Sequence, residues 1–448
     1  MNAAEPRAIV VVDLAFGDCG KGAIVDFLTR RHGAHTVVRF NGGPQAGHNV
    51  VTPDGRHHTF SQFGSGTFVA GTRTLLSRFM LIEPYALLNE AGHLAELGVG
   101  NPLASLLIDR RCTVITPAHQ AANRIRELAR GFGAHGTCGV GVGETMQDAL
   151  EHPDLILRAA DLADRVTLRS RLRALRDLKL DRLRHELRSV GQHPEAALAA
   201  QTLREPSWID AAIDNYSHVA RSVTLVDHDD VRSILHAPGT TIFEGAQGVL
   251  LDESYGFHPH TTWSTTTFAN AQTLLVECEH PARPTRLGVV RSYFTRHGAG
   301  PFVSNDESLA PRLTEPHNTD HGWQGRFRVG PFDTVAARYA LAVTGAIDAL
   351  ALTHLDRLPQ LPRSICSAYE LDGPSAGRMT DIPVLPPDDF AQRQQLTATL
   401  FRCRPVLTDY GDSSLPEILA HDLRTPVNVT ASGPTHRDIR FRDGARVD

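Results

Sequence analysis

Lysine is almost missing from this sequence. The 448 residues hold 45 Lys and Arg together, and only two of these are lysines, Lys21 and Lys179. Arginine serves as the cation elsewhere. A lysine kept at position 21 therefore marks a place where a compact point charge suits better than a planar fork, as it does on phosphate. Cysteine is scarce as well. Cys19, Cys112, Cys138, Cys278, Cys366 and Cys403 are scattered, with no C-x-x-C pair. That argues against a zinc site and a disulfide framework, and suits a reducing compartment. There is no basic excess: 50 acidic residues outnumber the cations and leave a net charge of −5, which disfavours nucleic acid as a partner. No apolar run is long enough to span a bilayer, so no membrane partner is expected. The start, Met1-Asn2-Ala3-Ala4-Glu5-Pro6, lacks the basic and apolar regions of a signal peptide. A cytoplasmic protein is the expectation.

What is present is an alternation of short apolar runs and helical stretches. The runs are Ile9–Val12, Thr36–Arg39, Leu106–Asp109, Val223–Val226, Thr241–Phe243, Leu287–Val290, Ala349–Leu352 and Pro426–Thr430. Alternation of this kind predicts an α/β fold with a large, mostly parallel central sheet. Glycine-rich loops follow several runs, which places a site at the carboxyl ends of the strands. Residues 160–235 differ. Arg165–Val190 is dense in Leu and Arg at helical spacing and is read as a solvated amphipathic helix within a helical insertion. Pro374–Pro387 reads as a surface loop.

The first loop is the most informative. Gly17-Asp18-Cys19-Gly20-Lys21-Gly22 stands between an apolar strand and a helix, the arrangement of a phosphate cradle, and so a P-loop-like domain. It is no Walker A motif: Ala15 stands where the first glycine belongs, and Gly22, not Ser or Thr, follows Lys21. It also holds a carboxylate that a plain cradle does not need. Further segments follow in order. They are Gly42-Gly43-Pro44-Gln45-Ala46-Gly47-His48-Asn49, the glycine-rich stretch 136–143, Phe243-Glu244-Gly245-Ala246-Gln247-Gly248, and Thr295-Arg296-His297-Gly298-Ala299-Gly300-Pro301. After these come Gly325-Arg326-Phe327-Arg328, Thr353-His354-Leu355-Asp356, and Ala431-Ser432-Gly433-Pro434. Alone, each could be a structural turn.

Together the segments resemble adenylosuccinate synthetase. That family carries G-D-E-G-K-G-K, G-G-x-N-A-G-H, G-T-T-G-x-G-x-G-P, F-E-G-A-Q-G-x-x-L-D, S-T-R-V-G-A-G-P-F, a G-R-x-R loop, T-K-x-D and S-T-G-P. The resemblance covers residues 8 to 440. It implies one large α/β domain over residues 1–448, a homodimer, and a ligase of purine biosynthesis. Such a ligase phosphorylates the 6-oxo group of IMP with GTP and then couples aspartate at C6. By the same resemblance Asp18 is the base and, with the Gly47 carbonyl, a Mg²⁺ ligand. His48 assists phosphoryl transfer, and Gln247 contacts the purine. Gly17, Gly20, Lys21 and Gly22 cradle phosphates. Gln45, Asn49, Thr137, Cys138 and Thr262 surround the nucleotides. Arg326 and Arg328 hold the acid substrate and the triphosphate side, and His354, Asp356, Ser432 and Gly433 stand at the guanine site.

The sequence departs from the family in the loops that read substrates. Cys19 replaces a Glu, Ala23 a Lys, Gln45 an Asn and Asn49 a Thr. Cys138 replaces a Thr, His354 a Lys, and Ala431 and Ser432 a Ser and a Thr. No arginine matches the one by which the family reaches a neighbouring subunit's phosphate; His152 is the residue at that distance. The amino-acid loop G-A-T-T-G-R becomes Asp320-His321-Gly322-Trp323-Gln324-Gly325-Arg326. Two alternatives therefore stand beside the main reading. One is a specialised homologue with another purine-like nucleotide, ATP or another amine. The other is a non-catalytic nucleotide-binding paralogue, against which the presence of both Asp18 and His48 counts.

Overall fold

The computed structural model describes residues 5–133, 135–190, 193–313, 315, 323, 325–371, 377–442, 444 and 447. Its centre is a ten-stranded sheet. In chain order the strands are β1 (Pro6–Asp13), β2 (Thr36–Arg39), β3 (Arg73–Leu76), β4 (Leu106–Asp109) and β5 (Thr224–Val226), then β6 (Gly239–Gly248), β7 (Thr285–Arg291), β8 (Ala349–Thr353), β9 (Val427–Ala431) and β10 (Ile439–Phe441). They lie in the order β10-β9-β8-β7-β1-β6-β2-β3-β4-β5. Every neighbouring pair is parallel except β9 with β10. β1 is central because Ile9 to Val12 are apolar on both faces, as a doubly covered parallel strand requires. All four are buried. Val11 is in register with Glu244 of β6 on one side and with Leu287 of β7 on the other.

All eight expected runs lie in this sheet. β3 and β10 were not expected. β3 opens on Arg73 before two leucines, and β10 is three residues long with Arg440 between its two apolar ones. β6 runs on past its expected end to Gly248, through glycines that read as turn punctuation. The loop expected at 374–387 instead contains an edge strand. Gly377–Met379 pairs antiparallel with Tyr369–Leu371, because a short polar strand at a sheet edge leaves no periodic trace. Its first residues lie outside the described ones.

Four helices serve the site: α1 (Lys21–His32), α2 (Pro117–Arg130), α3 (Val142–Glu151) and α4 (Arg165–Arg182). Within residues 160–235 three further helices are followed by β5, which joins the main sheet beside β4. α4 buries Leu168, Leu172, Leu175 and Lys179 as one stripe. The Lys179 ammonium is fully enclosed. It lies 2.7 Å from Glu144 and 2.8 Å from Asp148, both on α3, and His119 of α2 approaches Asp148 at 3.2 Å. A fifth helix, α5 (Thr334–Thr344), packs on the sheet. Among the described residues no helix is long and apolar enough to cross a membrane.

Candidate active site

The loop between β1 and α1 crosses the carboxyl edge of the sheet. It folds around Asp13, the last residue of β1. Asp13 Oδ1 accepts from the amides of Ala15 at 2.8 Å and Gly17 at 3.3 Å. Oδ2 accepts from Cys19 N at 3.0 Å and from the Lys21 ammonium at 3.1 Å. Lys21, expected to face phosphate, is buried at the start of α1 with this partner. Gly20 caps α1 with φ 81°, a left-handed conformation that suits glycine. Gly22 answers to packing: a Cβ there would stand 2.7 Å from the Asn49 carbonyl, so only glycine lets α1 meet the His48–Val51 strand so closely. Gly17 abuts Gln247 and Gly248, whereas Gly20 abuts Thr353 and His354. The loop thus divides two shelves.

Asp18 projects from the top of the loop. Its backbone is left-handed, with φ 60°, an uncommon conformation that asparagine and aspartate tolerate best. Arg291 donates to its carbonyl at 3.0 Å, and His297 Nε2 lies 3.6 Å from its Oδ2. Burial raises the Asp18 carboxyl above its ordinary value, against His297, Arg291 and Lys21, while Asp13 pushes it further up. A raised carboxylate is a better proton acceptor near neutral pH. Next to it, the Cys19 thiol is driven up by burial and by Asp13.

His48 begins the strand that faces α1. Its Nδ1 lies 2.5 Å from Glu244 Oε1, and both side chains are buried. Glu244 also accepts from the Ser65 amide at 2.9 Å and from the Ser65 hydroxyl. Burial works to raise Glu244, but His48, Arg39 and Ser65 outweigh it and hold the carboxyl at about 2. Burial pushes the His48 imidazole down to about 4 against the pull of Glu244. A neutral ring beside an ionised Glu244 carries its proton on Nδ1, by this hydrogen-bond assignment, so Nε2 is left as an acceptor.

Beside Asp18 opens a cavity of about 680 Å³ lined by Gln45, Thr137, Cys138, Gln247, Thr262, Arg296 and His297, among others. Gln247 holds φ 63°, and its Oε1 is buried with no partner among the described residues. Both polar ends of Gln45 are likewise buried without one. Amide groups left open inside a polar cavity are what a nucleobase would satisfy. The glycine-rich stretch at 136–141 is held by one face of α2. Glu127 accepts from Gly136 N at 2.6 Å and Thr137 N at 3.1 Å, while Asn123 reaches Thr137 Oγ1 at 3.0 Å. A second cavity of about 760 Å³ adjoins it, with Trp323, Arg326 and Arg328 on its wall.

A family model described as adenylosuccinate synthetase matches residues 10–395. The chain belongs to the adenylosuccinate synthetase family. The adenylosuccinate synthetase of Methylococcus capsulatus is 32% identical over 414 residues, which cover 90% of this chain and 86% of that protein. The fully ligated adenylosuccinate synthetase of Plasmodium falciparum matches the fold with a TM-score of 0.76 at 20% identity, covering 97% of this chain and 99% of that one. The succinoaminodeoxyadenylate synthetase of cyanophage S-2L, bound to dGMP and dATP, matches with a TM-score of 0.61 at 18% identity, covering 98% and 95%.

Against the motifs of adenylosuccinate synthetase, the remaining expected residues divide. His354 and Asp356 follow β8, and Ser432 and Gly433 follow β9, on the shelf across the loop from the cavity. His354 has φ 57°, and burial holds its imidazole well below the ordinary range, helped by Arg291 and Arg357. Asp356 pairs with its neighbour Arg357 at 3.3 Å. Asn49 is engaged by Thr59 at 2.6 Å and His57 at 3.0 Å. Gly47 is exposed in the turn before His48. Arg326 pairs with Glu307 at 3.0 Å, and Arg328 donates to the Gly298 and Gly300 carbonyls at 2.6 Å each. The structure therefore gathers Gln45, Thr137, Cys138, Gln247 and Thr262 on one cavity and sets the two arginines on its neighbour. Of the altered amino-acid loop, Asp320, His321, Gly322 and Gln324 lie outside the described residues. Trp323 stands against Gly139, where a Cβ would come within 2.9 Å of its ring. Sequence reasoning missed Asp13, Glu244 and His297 as members of the site. Glu244 stood in a recognised motif, and His297 replaces a valine of the quoted family pattern. Asp13 left no signal, because it ends an apolar strand outside every motif.

Proposed function

We propose that this chain is a C–N ligase that makes adenylosuccinate from IMP, aspartate and GTP. Asp18 takes the N1 proton of the 6-oxopurine, and O6 attacks the γ-phosphorus of the triphosphate, expelling GDP. The amine of aspartate then attacks C6 and expels inorganic phosphate, which carries away the former O6. His48 faces the transferring phosphoryl group through Nε2. Negative charge arriving there favours the protonated ring, and Glu244 stabilises that form from Nδ1. Gln247 and Gln45 meet the purine, with Thr137, Cys138 and Thr262 along the monophosphate. His354, Asp356, Ser432 and Gly433 take the triphosphate's base, and Arg326 and Arg328 take the acid substrate and the triphosphate side. Mg²⁺ suits this donor set: it is held by one or two carboxylates together with phosphate oxygens and water. Asp18 and the Gly47 carbonyl would hold it, and it would neutralise charge on the phosphates. The protein works as a homodimer in the cytoplasm.

The observation that supports this reading best is Asp18, held in a strained left-handed turn beside the Gln247 cavity in a chain matched by the family over most of its length. A second reading, a specialised homologue, is favoured by Trp323 and Gln324 in place of two hydroxyl residues of the amino-acid loop. The test is a purified-enzyme screen of IMP, dGMP and other 6-oxopurine monophosphates. GTP or ATP is supplied, with and without aspartate, and phosphate release and product mass are read. Phosphate release that requires IMP, GTP and aspartate together, with adenylosuccinate as product, supports the main reading. Release only with another combination supports the second. Nucleotide binding without any release would overturn both.

A further inference from the structure

We propose that Asp13 is a positioning residue, a resident carboxylate that fills the amide nest of the phosphate loop and aligns Lys21 for the transferring phosphoryl group. It rests on the ligase reading for the identity of that group, but not for the loop geometry. Alternate amides at 15, 17 and 19 converge on one point with the Lys21 ammonium. Converging amides and a lysine make the concavity that binds phosphate in other nucleotide sites. Here the chain's own carboxylate occupies it. Asp13 is 1% exposed and sits between Gly248 of β6 and Val289 of β7, so two neighbouring strands fix its backbone.

Two consequences follow. The phosphoryl group binds outside the nest, against the first-turn amides of α1, which have no partner within the helix. Lys21 reaches it with the ammonium hydrogens that Asp13 leaves over, since an ammonium has three. The loop is also shaped before nucleotide arrives. A buried cation and its nest need a counter-charge to be stable, and Asp13 provides one without a ligand. The family motif quoted above has a Glu at position 19, where this chain has the buried, neutral Cys19. The loop carboxylate next to Asp18 is absent, and Asp13 supplies one from the strand beneath.

Two measurements test this. The first uses the unaltered enzyme: amide hydrogen exchange with and without guanosine 5′-(β,γ-imido)triphosphate. Amides 15, 17 and 19 should be protected without nucleotide and gain nothing from it. Protection that develops only with nucleotide would overturn the proposal, whatever the enzyme's substrates prove to be. The second is Asp13→Asn, which keeps the shape and removes the charge. We expect kcat to fall about 10²-fold, the scale of a misplaced catalytic group, with KM for both nucleotides within about threefold. With only two lysines in the chain, ¹⁵N-lysine labelling yields two ammonium signals, which Lys21→Arg assigns. In Asp13→Asn the Lys21 signal should move and the Lys179 signal stay. A lowered melting temperature with kcat and the Lys21 signal unchanged would reduce Asp13 to a structural residue and overturn the proposal.

Discussion

Burial and neighbouring charges set the proton affinities of Asp18 and His48. Asp18 gains basicity from burial and loses part of it to His297, Arg291 and Lys21. Asp18→Ala should keep nucleotide binding, read by calorimetry, and lose turnover by about 10²–10⁴-fold, the usual contribution of a general base. Wild-type turnover in that variant would refute the mechanism. Glu244 holds the imidazole of His48 by its Nδ1. Glu244→Gln should keep the hydrogen bond and lose the charge that stabilises an imidazolium, so kcat should fall about tenfold or more at pH 7. An unchanged kcat would show that turnover does not need the imidazolium form of His48. Motif order alone singled out Asp18, His48 and Gln247 as candidates. Glu244 was visible in its motif, but its task was not: nothing in the sequence says that residues 196 positions apart share a hydrogen bond.

At the scale of elements, close approach decides which glycines and which buried charges are needed. A Cβ on Gly248 would stand 2.2 Å from the Ala15 carbonyl, so Gly248→Ala must push β6 and the phosphate loop apart. Overpacking of this kind costs about 1–3 kcal/mol, measured as a lower urea midpoint, and kcat should fall with it. The Lys179 network joins α2, α3 and α4 beneath the glycine-rich stretch at 136–141. Lys179→Met would leave Glu144 and Asp148 without their shared cation, a loss of about 3–5 kcal/mol for a broken buried pair. The sequence predicted α4 as an amphipathic helix in water, yet its one lysine, Lys179, is fully enclosed, since only folding sets two carboxylates of α3 against it. Asp333 caps α5, accepting from Ala336 N at 3.0 Å and Tyr369 Oη at 2.8 Å, and burial raises its carboxyl to about 6. Unfolded, it titrates near 4. The folded state therefore holds an extra proton between those values, and the stability this group contributes falls as pH rises from about 4 to 6. Asp333→Asn removes that slope. Variant minus wild-type stability should rise across this window by up to about 3 kcal/mol, and a flat difference would refute the assignment.

Across the whole molecule, the site draws on strands from both halves of the sheet. Gln247 is the penultimate residue of β6, Asp13 ends β1, and His354 and Ser432 follow β8 and β9. Nucleotides bound on the two shelves should stabilise the sheet as one unit. Each, at a hundred times its Kd, should add about 2.7 kcal/mol to unfolding, measured by thermal shift with IMP, GTP and both. A monophosphate and triphosphate that each shift melting alone but add nothing together would mean that they compete for one shelf. The apolar runs determined the parallel sheet, because strands buried on both faces must be apolar throughout. The ordered motifs determined the family, because glycine turns, one carboxylate and one lysine at fixed spacing are demanded by the chemistry itself. What only the tertiary structure decided is which charges meet: Asp13 under Lys21, Glu244 behind His48, His297 beside Asp18, Lys179 between two acids. Pairings of that kind depend on distance in space and burial from water, and neither is written in the local order of residues.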